Sequence, residues 1–312
     1  MKVLVAGASG VIGRQLVPLL ESAGHEVIGL ARSVRGQMGT TPLAVDALDR
    51  DAVVRAVDQS GPDAVVNMLT SIPERINPKR IDYDFIMTNR LRKVGTENLR
   101  YAAQRAGVAQ FICQSIAFGY EPRGTALADE KAALWRDPPK PFATVLDGVK
   151  RLEATTLSAH GTVLRFGHLY GPGTSFASDG WFFQEVQQGK MPLVGDGTAT
   201  FSFVHVHDAA QAVLAALTTK QTGVFNIVDD EPAQVRDWLP ALAEMMGAPE
   251  PKRVSALLAG FAVGTWGVAY MTRLRGADNT HAKNTLNWQP TYSTWRDGFA
   301  TELAAATDNS DR

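Results

Sequence analysis

The chain has 312 residues, 45% hydrophobic and 20% charged, enough to bury one large core or two unequal ones. A formal net charge of -1, with acidic and basic residues interspersed, removes any electrostatic case for nucleic acid or an anionic membrane as partner and leaves small-molecule chemistry. The single cysteine, Cys113, excludes a disulfide framework and a thiolate metal cluster, and it fits a reducing cytoplasm.

The opening run MKVLVAGASG is broken by glycine too early for a signal peptide and predicts a buried strand. GASGVIG follows it directly. Gly7, Gly10 and Gly13 permit a tight turn, close approach of backbone amides to a pyrophosphate, and close packing of the helix expected over 11–23. Ser9, Val11 and Ile12 belong to the same cofactor turn. The second strand, EVIGLA, ends in Ala31 and Arg32, where an NAD site usually carries a carboxylate for the ribose hydroxyls. A guanidinium there pairs with a 2′-phosphate, assisted by Ser33 and Arg35, so NADP(H) is expected in preference to NAD(H). After the strand PLAV, Asp46 and Ala47 stand where a short carboxylate can accept from the adenine amine.

A helix over 49–59, the strand DAVVNML, a helix over 85–106, the strand AQFICQS, a helix over 142–159 and the strand TVLRF continue the alternation. The pattern predicts an α/β fold with a doubly wound parallel sheet and ligands beyond the carboxyl ends of its strands. Met68 and Leu69, at the end of the strand DAVVNML, and Gly167, just after TVLRF, are assigned to the cofactor edge. Beyond YGPG the rhythm changes. A nucleotide-binding domain is expected over 1–169 and a smaller substrate-binding region over 170–306, with 307–312 a flexible tail. The two interleave, because FSFVHV, HDAAQAVLAAL and FNIV keep a strand-helix-strand character that can complete the sheet from within 200–230.

Residues 254–271 form an uncharged run with basic residues on both flanks, read as an apolar helix over a pocket or subunit contact and not as a membrane span. His205 and His207 alternate and Asp208 follows. No third ligand has suggestive spacing, so no metal is expected and Asp208 reads as a helix N-cap.

These stretches, with SIAFGY, VLRFGHLYGPG, VGDGTATFSFVHVHDAA, FNIVDDEP and LNWQP, resemble the extended and atypical short-chain dehydrogenase/reductases, the NAD(P)-dependent epimerase/dehydratase-like proteins, over nearly the whole chain. The resemblance implies a Rossmann domain with a smaller C-terminal substrate-binding region. It also implies a working trio: a serine or threonine after the fifth strand, then a tyrosine and a lysine four apart on the next helix. Ser115 matches the first and Lys150 the last, where the family's ammonium holds the nicotinamide ribose and lowers the phenol pKa. The tyrosine position falls on Leu146, which has no proton to give. Either another acid serves, Tyr120 or His168 being nearest in sequence, or the chain binds cofactor without chemistry. Tyr170 reads as structural.

Phe201 stands where relatives that handle nucleotide sugars usually have an arginine, and an apolar ring cannot neutralise a diphosphate. With Trp181, Phe182, Phe183 and the 254–271 run, it points to a pocket for an apolar or aromatic compound. The expected function is therefore an NADP(H)-dependent oxidoreductase acting on a small to medium apolar carbonyl or unsaturated compound. The alternatives are an epimerase or dehydratase with transient hydride transfer, or a non-catalytic NADP(H)-binding regulator. The resemblance further implies a homodimer formed through the helices at 85–106 and 142–159.

Overall fold

The computed structural model describes residues 1–34, 38–124 and 127–310. Seven strands form one parallel sheet: β1 (Lys2–Ala6), β2 (Glu26–Ala31), β3 (Thr41–Ala44), β4 (Ala64–Asn67), β5 (Gln110–Ile116), β6 (Thr162–Phe166) and β7 (Gly223–Ile227). Their spatial order is β7-β6-β5-β4-β1-β2-β3, the doubly wound arrangement, with the direction of winding reversing between β1 and β4. The central strands read as near-continuous apolar runs because helices cover both faces and no side of the pleat meets water.

On one face lie α1 (Val11–Ser22) and α5 (Val206–Thr219), which bury Leu16, Val17 and Leu20 against Val213 and Leu217. The other face carries α2 (Arg50–Ser60), α3 and α4 (Lys140–Ser158). Here α3 denotes a continuous helix made of Ile86–Arg90, a π-helical turn Leu91–Gly95, and Thr96–Arg105. Asp49 starts α2 by accepting from the Ala52 amide at 3.0 Å.

The segment FSFVHV does not enter the sheet. Phe203–His205 pairs instead with His168–Tyr170 in a separate two-stranded ribbon, and Gly223–Ile227 alone rejoins, beside β6. A third core gathers above the carboxyl edge around Phe201, Phe203 and Trp238, closed by α6 (Val235–Met245), α7 (Ala256–Thr272) and α8 (Trp295–Ser310). The last of these runs into the segment 307–312 expected as a tail.

Helix α7 is the apolar run. It is kinked at Gly264, whose φ of 71° places it in the left-handed region. Among the described residues no helix is long and apolar enough to cross a membrane, and no cluster of three His, Cys, Asp or Glu side chains could hold a metal. Asp208 is not the N-cap of α5. That place belongs to His205, whose ring accepts from the His207 amide, while the buried Asp208 carboxylate takes the Thr291 and Tyr292 amides at 2.8 and 3.0 Å and ties the C-terminal loop to the helix.

Candidate active site

At the end of β1 the chain folds back on itself. Gly7 has φ 94°, and a Cβ there would lie 2.8 Å from the Met68 carbonyl oxygen. One on Gly13 would lie 2.3 Å from the Gly7 oxygen. No side chain can replace either hydrogen without moving backbone. Gly10 starts α1 with no capping side chain and no acid in the first turn, so the first amides are open to an anion. This cradle fits a pyrophosphate. Within it the Ser9 carbonyl accepts from Arg14 Nε at 3.0 Å, Val11 opens the helix, and Ile12 turns into the core.

Beside the turn a cavity of about 280 Å³ is lined by Arg32, Asp46, Leu48, Asp49, Met87, Arg90 and Leu91. Neither Arg32 nor Arg90 has a polar side-chain partner among the described residues, and both line this one cavity. Arg90 was not singled out from sequence. Its only signal there was the helical spacing that puts 87, 90 and 91 on one side of α3. Asp46 accepts from the Leu48 amide at 3.0 Å, Ala47 is buried with its carbonyl on Asn98, and Ser33 is exposed alongside. Arg35 lies outside the described residues. The Leu69 amide donates to Asn67 Oδ1 at 3.1 Å, holding the end of β4 against Gly7.

The residues expected to do chemistry are placed otherwise. Ser115 Oγ donates to Glu153 Oε1 at 2.6 Å, and Glu153 takes both Arg165 Nε and Nη2, at 2.8 and 2.6 Å. Arg165 Nη1 donates to the Tyr120 hydroxyl at 2.8 Å, which in turn donates to Asn226 Oδ1 at 2.6 Å. The five groups form one buried chain from α4 to β7. Ser115 is therefore not free to orient a substrate. Tyr120 is not the substitute acid either: it is 1% exposed, its proton is committed to Asn226, and burial, partly opposed by Arg165, pushes the phenol up to about 12.

Lys150 is exposed, and its Nζ donates to the Trp135 carbonyl at 3.2 Å, in the loop between β5 and α4. The rotation of α4 turns Val145, Val149 and Leu152 into the core instead, with Gly148 packed on Asn89 of α3. No tyrosine occurs anywhere in α4, so no choice of register restores a tyrosine–lysine pair. At Gly167, after β6, a Cβ would sit 2.4 Å from the Ser202 carbonyl oxygen, so close chain packing by itself requires the glycine.

His168 occupies a box of rings. It stacks on Phe201 at 3.9 Å and on Phe118 at 4.6 Å, with Tyr270 of α7 edge-on at 5.5 Å. Its Nδ1 faces the Ser202 carbonyl at 3.2 Å, and a carbonyl only accepts, so Nδ1 carries the proton. Nε2 is buried without a partner among the described residues, and burial pushes the imidazole down to about 3. His168 is a neutral acceptor and not the acid. Tyr270, missed from sequence, is a phenol whose pKa burial raises, a poor proton donor. Phe182 and Phe183 pack into the core behind this box, around Trp238 and Phe299, and do not line it.

A second opening, of about 380 Å³, lies between the segment after β4 and the start of α3, lined by Ile72, Pro73, Tyr83 and Ile86, and shares Met87 with the first.

The profile of the NAD dependent epimerase/dehydratase family matches residues 3–228. A 3-diazoavenalumate denitrifying reductase from a Streptomyces species is 42% identical over 97% of this chain and 100% of its own. The 2-alkyl-3-oxoalkanoate reductase of Stenotrophomonas maltophilia is 25% identical over 85% of this chain and 81% of its own. Among solved structures, UDP-glucose 4-epimerase from Thermotoga maritima superposes with a TM-score of 0.76 at 21% identity, covering 99% of this chain and 100% of that one. A human epimerase family protein with NADPH also gives 0.76, at 20% identity, covering 97% and 99%. At these identities the two structures share the fold.

Proposed function

The chain belongs to the NAD-dependent epimerase/dehydratase family, and from that premise we propose that it is an NADP(H)-dependent reductase of planar aromatic electrophiles, aryl diazonium groups being the favoured class. The observation that carries this reading is a helix α4 without a tyrosine. Residues Gly7, Gly10 and Gly13 would hold the pyrophosphate, and Arg32 with Arg90 would hold a 2′-phosphate. When bound, the cofactor supplies a hydride.

Reducing a carbonyl builds an alkoxide that must be protonated, and neither Leu146, Tyr120 nor His168 offers a proton. A diazonium acceptor builds no oxyanion. The hydride adds, the C–N bond breaks, dinitrogen leaves, and the hydrogen ends on the ring carbon, so charge and atoms balance with no proton from the protein. His168 Nε2, buried without a partner among the described residues, offers an acceptor for a ring hydroxyl, and the half-buried Phe118 and Tyr270 beside it give that place an apolar, aromatic character. The 42% identical relative, named for denitrifying reduction of a diazo compound, supports the same class. A homodimer in a reducing cytoplasm completes the proposal.

The test is anaerobic NADPH oxidation with a hydroxybenzenediazonium salt, with dinitrogen measured against cofactor consumed and against the uncatalysed rate. One dinitrogen per NADPH is expected. Alcohols formed from a ketone and enone panel with no enzymatic dinitrogen release would overturn the reading, as would substrate conversion with no net NADPH consumed. For the cofactor, Arg32→Ala and Arg90→Ala should each weaken NADPH binding by roughly tenfold to a hundredfold, the loss of one charge-assisted contact, and leave NADH binding unchanged.

A further inference from the structure

Arg92 is a buried cation that nothing above employs. It is 6% exposed, on the π-helical turn of α3. A guanidinium has five N–H donors, yet among the described residues its one hydrogen bond is from Nη1 to Asn89 Oδ1, at 3.4 Å. Burial pushes it down to about 10, and the nearby Glu153 carboxylate opposes only part of that. Glu153 itself is already taken, bidentately, by Arg165. Leaving a buried guanidinium so poorly bonded is costly, and π turns recur where a helix is bent to function.

Its position follows from its neighbours. Thr96, one turn further along the same face of α3, accepts from Asn67 Nδ2 at 2.9 Å, and Asn67 is the last residue of β4. The crossover helix runs back along the sheet from its carboxyl edge, so Arg92 stands about 6 Å above Thr96, just past the ends of the strands. On α4, Val149 stands one turn above Glu153, whose carboxylate meets Ser115 near the end of β5. Gly148 beside it packs on Asn89, the residue that Arg92 touches. Where α3 and α4 meet at the carboxyl edge of β4 and β5, aliphatic side chains of α4 thus pack beside one cation of α3, which has a single long hydrogen bond among the described residues and lies 5.9 Å over the Phe85 ring.

A dinucleotide straddles the point where the winding reverses. Its adenine half belongs over β2 and β3, where Arg32 and Asp46 lie, so its nicotinamide half belongs over β4 and β5. We infer that Arg92 is a cofactor-binding residue, its guanidinium donating to acceptor oxygens of the nicotinamide half of NADP(H) and standing in for the lysine that α4 does not present. The inference rests on the cofactor reading above.

Equilibrium titration of the full chain with NADPH and with adenosine 2′,5′-bisphosphate, which lacks the nicotinamide half, separates the two. Arg92→Met should weaken NADPH binding at least tenfold and change the bisphosphate by less than twofold. Arg92→Lys should recover part of the loss, and Lys150→Ala should leave both ligands unaffected. Unchanged NADPH affinity in Arg92→Met overturns the inference, and so does an equal loss for both ligands, which would mean a loosened fold. Should Arg92→Met fail to fold, Arg92→Lys is read in the same way, with a smaller split expected and no split overturning it. Wild-type protein that binds neither ligand would overturn the cofactor reading itself, and this inference with it.

Discussion

Arg165 shows how burial decides a residue's role. Reached from Glu153 on one side and Tyr120 on the other, it sits in a buried chain of charge-assisted hydrogen bonds. Tyr120→Phe leaves Arg165 Nη1 and Asn226 Oδ1 short of a bond and should cost about 1–3 kcal/mol. Urea unfolding would show the loss, while turnover per folded molecule should stay within twofold. A large fall in turnover at full stability would restore Tyr120 as the acid.

His168 carries a pH signature. Its imidazole is at about 3 in the fold against an ordinary 6.5, so between these values the unfolded chain binds the proton that the folded chain refuses. Stability tied to His168 is therefore complete above about 6.5 and falls as the pH drops towards 3, by at most about 1.4 kcal/mol per unit. Asp229, a buried carboxyl raised by desolvation, acts with the opposite sign, and His205 with the same sign. The difference between wild type and His168→Gln isolates the one group. The variant should lose stability less steeply from pH 6.5 to 4, and parallel curves would mean that His168 is protonated in the fold.

At the scale of elements, periodicity located α4 to within two residues but not its rotation. The side chains that decide the rotation, Asn89 against Gly148 and Ser115 against Glu153, lie 59 and 38 positions away in sequence. A register one residue different exchanges an aliphatic face for an ammonium. The apolar run 254–271 shows the opposite relation. Its composition fits a membrane span as well as a cover, and the kink at Gly264 separates an outer half, with Leu257, Leu258 and Phe261 exposed, from an inner half whose Trp266 stacks on Phe142 at 3.8 Å. Gly264→Ala puts a side chain at φ 71°, 3.1 Å from Lys79 Cγ, and should destabilise the fold by roughly 1 kcal/mol or more. Thermal unfolding with near-ultraviolet dichroism checks this, since a shifted inner half disturbs the Trp266 and Tyr270 signals. An unchanged midpoint would mean that the kink relaxes freely.

At the scale of the molecule, the outer sides of α3 and α4 expose Val94, Tyr101 and Leu157, apolar groups on two adjacent helices facing away from the sheet. If these helices form the homodimer contact, the wild-type chain should sediment as a dimer at micromolar concentration, and Val94→Glu should shift it to monomer with cofactor binding intact. A wild-type monomer refutes that assembly.

The sequence by itself determined the alternation of strand and helix, the glycine turn after β1 and the arginine after β2, because these depend on a few neighbouring residues and on backbone geometry that glycine alone permits. Which polar groups stay free for chemistry only the tertiary structure decided. Ser115 and Tyr120 carry the right atoms in nearly the right places, yet each is spent on a partner from another element, while Arg90, Arg92 and Tyr270 gain their positions from packing. The physical reason is that a buried donor or acceptor must be satisfied, and the partner that satisfies it is chosen by the fold across distances that no local pattern in the sequence records.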